Sequence, residues 1–224
     1  MMNKEVRIIE EDSELRAAID SRMVEGYGIV FNRESRDLGG FTEIILPSAI
    51  KGVVERSDVL ALMNHDISRG VLARCTNGAG SLSLTPDQRG VKYSFKSPST
   101  ALGSELVEGI SRKDIKGSSF AFTVSDGGEK WEHRSGGVPL RTISQFDLIY
   151  DMSPCYRATY QDTTIALRSL DEYKKSTEVV EEVKPNPIAE EPAIENLDVD
   201  KTIPRYSNAE LAMRARNEMY KNNI

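Results

Sequence analysis

Short segments in which apolar and polar residues alternate run through the first two thirds of the chain. Side chains on a strand point to opposite faces in turn, so such segments predict strands packed by one face against a core. Residues 24–32, 41–47, 58–66, 71–74, 82–85 and 91–95 read this way. Pro47 stops the second, and Asn77-Gly78-Ala79-Gly80 is a hairpin signal ahead of the fifth. Ser48 is placed to cap a short helix over 49–55. Residues 100–111 change period: Leu102, Leu106, Val107 and Ile110 fall at helical spacing. Ahead of all these, residues 1–22 form a charged lead-in or edge element, with a short helix expected over 11–19.

The helix delivers the chain into the stretch around which the rest is organised, residues 115–124. As a strand, it places Phe120, Phe122 and Val124 on one face with Ser118, and Ser119, Ala121 and Thr123 on the other. The first face reads as core. The second carries only small groups, and Ser119 is its best-placed hydroxyl. A polar, glycine-rich loop around Trp131 and His133 follows. Residues 142–152 then predict one strand with Phe146, Leu148, Tyr150 and Met152 on one face, opposite Asp147, Ile149 and Asp151. Residues 163–170 predict the last strand.

Beyond that point the pattern ends. Residues 171–204 are rich in Glu, Val and Pro, the composition of a disordered linker. Ser207 can cap a helix over 207–222, whose apolar stripe is too thin for a core and suits docking to a partner. The resulting division is a lead-in (1–22), a globular domain (23–170), an acidic linker (171–204) and a docking helix (205–224). The net charge of −6 belongs to one segment, since residues 171–200 hold ten acids and three bases. The remainder is nearly neutral, which argues against a nucleic-acid surface. No apolar run reaches signal-peptide or membrane-span length, so a chain that stays where it is made is expected. Cys75 and Cys155 form no disulfide framework or metal spacing, which suits a reducing cytoplasm. With two histidines, metal-assisted hydrolysis is disfavoured, and no cofactor is expected.

His65 follows the apolar run over 59–63, where a strand emerges from the core. Asp66 is not its expected orienting acid, because strand neighbours point to opposite faces. Several stretches taken together resemble the prohead maturation proteases of tailed bacteriophages. They are Gly26-Tyr27-Gly28-Ile29-Val30-Phe31-Asn32, Gly40-Phe41-Thr42-Glu43 with Pro47 and Ala49, and Asn64-His65-Asp66. Gly117-Ser118-Ser119-Phe120-Ala121-Phe122 and Asp151-Met152-Ser153, followed by Ala166-Leu167-Arg168-Ser169, complete the set in the family's order.

The resemblance implies an α+β fold, a mainly antiparallel closed β-barrel wrapped by helices like that of herpesvirus assembly proteases. It implies a serine endopeptidase that acts inside the immature capsid, in the host cytoplasm, on the scaffolding segment of the major capsid protein and on itself. Loss or degradation of the enzyme in the mature virion goes with that role. Residue by residue, it makes Ser119 the nucleophile, His65 the general base and Asp151 the third member. The family more often has Glu in that third position, and herpesvirus relatives have a second histidine, for which His133 is the candidate here. Backbone N–H groups, Arg157 or Arg168 can supply the oxyanion hole. The alternative is a non-catalytic assembly or scaffolding protein on the same barrel, against which the presence of both Ser119 and His65 speaks. An esterase is weaker still, because no Gly-x-Ser-x-Gly elbow is present.

Overall fold

The computed structural model describes residues 4–9, 13–156, 170–171 and 173–175. Thirteen strands and one α-helix follow in order through Cys155, and residues 170–171 and 173–175 are also helical. The strands are β1 (Glu5–Ile9), β2 (Arg16–Ala18), β3 (Met23–Val30), β4 (Thr42–Ile45), β5 (Asp58–Ala61), β6 (Ala73–Thr76) and β7 (Ala79–Gly80). They continue with β8 (Leu82–Pro86), β9 (Gly90–Lys96), β10 (Gly117–Val124), β11 (Glu129–Glu132), β12 (Leu140–Ile143) and β13 (Phe146–Cys155), and α1 spans Ala101–Ser111.

The sheets correct the expected barrel. Among the described residues the strands make a six-stranded sheet ordered β1-β10-β13-β5-β6-β7, a four-stranded sheet β2-β3-β9-β8 and a three-stranded sheet β11-β12-β4. A closed barrel has no edge strands. Here each sheet keeps two, and β4–β12 and β5–β13 pair in parallel, so the sheets are mixed as well as open. The fold is mostly β, with α1 its one α-helix among the described residues through Cys155. Turn signals mark where strands end, but hydrogen bonds between distant segments decide which strands become neighbours.

The strand expected over 142–152 is in fact two. Ser144 and Gln145 donate their N–H groups to Gly128, and the chain passes from β12 in one sheet to β13 in another. The helix expected over 49–55 is replaced by two 3-10 turns, Pro47–Ile50 and Val54–Arg56, and the Ser48 hydroxyl donates to Ser144 instead of capping. Within the lead-in, residues 4–9 include an edge strand, and β2 stands where helix was expected. The strand expected over 163–170 lies outside the described residues except for Leu170, the docking helix lies outside them entirely, and of the expected acidic linker only residues 171 and 173–175 are described, as helix. Leu170 is helical and buried against Phe41.

Other expectations hold. The helix α1 starts where its spacing indicated, with the Thr100 hydroxyl accepting from the Gly103 N–H, and buries Leu106, Val107 and Ile110. Asn77 and Gly78 both have positive φ, 51° and 81°, as a tight hairpin turn requires. Phe120, Phe122 and Phe146 pack with centroids 4.7–6.0 Å apart at the centre of the core, joined by Tyr93, Phe95, Ile29 and Met152. Gly28 allows that packing, since a Cβ there would lie 2.7 Å from the Met152 sulfur. This close approach seats β3 against β13, beneath the site.

Candidate active site

Ser119 lies on β10, opposite Ile8 of β1 on one side and Ser153 of β13 on the other. Alternation along β10 works as expected: Ser118 points into the core and bonds the Tyr93 hydroxyl at 2.9 Å, while Ser119 turns the other way. The face of small groups is not open, however. Ser119 is fully buried, because β1 and β13 flank it and His65 covers it.

His65 reaches the serine from a turn just past β5. Asn64 and His65 have φ of 54° and 61°, two successive left-handed residues without glycine. Each such residue costs on the order of 1–3 kcal/mol and persists only where its surroundings over-determine it. Here the Asn64 N–H donates to the Pro154 carbonyl at 2.9 Å, pinning the turn to the end of β13. Asp66 faces away and caps the turn Ile67–Arg69 by accepting from the Ser68 N–H.

Asp151 reaches the imidazole although Asp is one methylene shorter than Glu. Opposite β10, the pairing of β13 shifts by one residue between Ile149 and Asp151, so Tyr150 is the extra residue of a bulge. Bulges bend a strand and re-aim the next side chain. Beyond it Asp151, paired with Ala121, shares the face of Ser119 and Ser153. Together with a second register shift, between Ile149 and Phe146, the bulge breaks the parity read from the sequence: Phe146, Ile149 and Met152 are all core residues.

The three side chains form one hydrogen-bonded line. Ser119 Oγ lies 2.5 Å from His65 Nε2, and His65 Nδ1 lies 2.5 Å from Asp151 Oδ1. His133, the other candidate for the third position, is exposed just past β11 and is not in that line. Burial pushes the Asp151 carboxyl up, but the hydrogen bond and charge of His65, the Ser153 hydroxyl and the Lys4 ammonium together hold it below its ordinary value. Lys4 Nζ is 3.3 Å from Asp151 Oδ2, and Ser153 Oγ donates to Oδ1 at 2.8 Å. Burial, with the Asp151 charge behind it, pushes the Cys155 thiol up to about 12.

Three contacts at the site had no sequence signal. The Arg7 carbonyl accepts from Ser119 Oγ at 2.7 Å, so His65 and β1 compete for one hydroxyl proton. The strand bearing that carbonyl is held by buried charge: Arg7 and Arg141 share Glu5 and Glu43, and Arg141 also bonds Glu129. Lys4 reaches Asp151 across 147 positions of sequence. Only Ser153 left a trace, two residues from Asp151 and therefore on the same face of a strand. Arg157 and Arg168 lie outside the described residues.

A cleft of about 570 Å³ opens beside His65 and Asp151. Leu60, Leu62, Ile67, Val71 and Tyr150 supply its apolar lining, and Ile67 and Val71 are among the few exposed large hydrophobic side chains. Lys4, Asp58 and Arg74 line it as well, and a concave, partly apolar cleft with polar groups placed along it is the usual form of a substrate site.

A hydroxyl, an imidazole and a buried carboxylate bonded in line on a rigid β-scaffold form the arrangement used by serine hydrolases. The chain belongs to the caudovirus prohead serine protease family, whose model matches residues 8–176. It is therefore a serine protease of prohead maturation, working on capsid protein inside the procapsid in the host cell. Among solved structures, the bacteriophage T4 capsid assembly protease aligns with a TM-score of 0.44 and 11% identity, over 69% of this chain and 99% of that one. A comparison with curated proteins finds no match.

Proposed function

We propose that Ser119 is the nucleophile, His65 the general base and Asp151 the orienting carboxylate of an endopeptidase that cuts the scaffolding segment of the major capsid protein, and itself. The continuous line from Ser119 Oγ through His65 to Asp151 is the observation that carries this reading. A serine hydroxyl attacks a peptide carbonyl only as a base removes its proton, and Nε2 is within reach to take it. Asp151 accepts from Nδ1–H, which leaves Nε2 as the acceptor and stabilises the imidazolium once it forms. The imidazolium then protonates the leaving amine. A water activated by the same nitrogen hydrolyses the acyl-enzyme.

The tail is part of the proposal. The acidic stretch and the helix over 205–224 act as an address that brings the protease to the assembling shell and raises its concentration near the capsid protein. Extended backbone with unengaged hydrogen-bonding groups suits a protease cleft, so the enzyme itself removes the tail, and later the protease is lost from the virion.

Co-expression with the capsid protein, followed by intact-mass spectrometry, tests both parts. Wild type should shorten the capsid protein and shed its own C-terminal fragment, and Ser119→Ala should do neither. Processing that survives in a folded Ser119→Ala protein would overturn the assignment.

A further inference from the structure

We infer that Ser153 is a positioning residue for the catalytic carboxylate, an inference that rests on Asp151 being the third member of the triad. The Ser153 hydroxyl donates at 2.8 Å to Asp151 Oδ1, the oxygen that also meets His65 Nδ1. Ser153 is completely buried and sits directly across the β10–β13 ladder from Ser119.

Three observations give this bond a purpose. First, a carboxylate can rotate about its last side-chain torsion, which is broad and poorly fixed by sterics alone. Second, Asp151 follows the Tyr150 bulge, where the ladder is locally disrupted, so strand pairing alone constrains it less than its neighbours. Third, on the other oxygen stands Lys4, half exposed at 3.3 Å, a longer and mobile-ended competitor for the carboxylate. A second donor on Oδ1 holds that oxygen on His65 Nδ1 against the pull of Lys4. The Ser153 hydroxyl has no substrate-facing role in this arrangement, since its proton is committed to Oδ1 and β10 lies between it and β1.

A donor bonded to an ionised group acts on its charge as well as its aim, and a neutral amide accepts the same bond at about half the strength, so the effect should shrink once the group no longer carries charge. This separates positioning from mere packing. Cleavage of a peptide substrate is measured for wild type, Ser153→Ala, Asp151→Asn and the double variant. Ser153→Ala should lower kcat about 10- to 100-fold, the range expected for one hydrogen bond to a charged group, with KM unchanged. In the Asp151→Asn background the same change should cost only about 3- to 10-fold, well below the loss in the wild-type background. Ser153→Cys, which keeps a group at the γ position and offers a weak donor, should fall between and guards against a cavity defect in the alanine variant.

Equal loss from Ser153→Ala in both backgrounds would make the residue structural and overturn the inference, as would full activity in Ser153→Ala. A silent Asp151→Asn would be a different failure. It would remove Asp151 from the triad and with it the ground for Ser153.

Discussion

Replacing Arg141 by Met attacks the anchor of β1 and tests whether the N-terminal strand belongs to the working site. Arg141 is 1% exposed and donates to both oxygens of Glu5 at 2.7 and 2.8 Å, to Glu43 at 2.9 Å and to Glu129 at 2.7 Å. Without it, Glu5 and Glu43 share the Arg7 guanidinium alone, and Glu129 loses its bond to Arg141. Removing one partner from a buried ion cluster costs about 3–5 kcal/mol, because the remaining charges stay desolvated and uncompensated. Against a total of about 5–15 kcal/mol for a domain, that is a large fraction.

The pH dependence carries the sign of the effect. In the wild type, burial pushes Glu5 up, but the hydrogen bond to Arg141 and the charges of both arginines outweigh it and leave its carboxyl below 4.5. A depressed value means that the stabilisation is fully present above that ordinary value and is lost as the pH falls through the folded one. In Arg141→Met the burial cost is less opposed, so the Glu5 carboxyl rises and its protonation relieves the variant as the pH falls. Urea unfolding should therefore show a gap of about 3–5 kcal/mol at pH 7 that narrows towards pH 4. A gap below about 1 kcal/mol at pH 7, or one that widens in acid, would refute the reasoning. Cleavage should fall with it, since Ser119 leans on the Arg7 carbonyl of the loosened strand.

Three further outcomes follow from the site. Ser118→Ala should keep most of the proteolytic activity yet lose about 1–3 kcal/mol by chemical denaturation, because it leaves the buried Tyr93 hydroxyl without its partner. His65→Ala should match Ser119→Ala in peptide cleavage, and the double variant should be little worse, since groups acting as one unit are strongly non-additive. With its thiol pushed up to about 12, Cys155 stays protonated, so at pH 8 it should resist iodoacetamide in the folded protein and react once the protein unfolds, as read by mass spectrometry.

Much of the site is legible in the sequence. Alternation alone separated Ser119 from Ser118, because a strand offers two faces and one of them was filled by Phe120 and Phe122. His65 stood at the end of an apolar run, where polar residues meet a strand emerging from the core. The spacing of Leu102, Leu106, Val107 and Ile110 placed α1 to within a residue. These are local signals, set by the geometry of a single segment.

What the sequence left open depends on contacts between segments. The open, mixed sheets arise from which strands hydrogen-bond, as in the parallel pairing of β12 with β4, and no local pattern encodes a partner some hundred residues away. The reach of Asp151 rests on a bulge created by its register against β10. The aim of His65 rests on a left-handed turn tied to Pro154. The role of the N-terminal strand rests on a backbone carbonyl and a buried charge cluster. A carbonyl is present in every residue and leaves no mark in composition, so only the tertiary structure could bring Arg7 to Ser119.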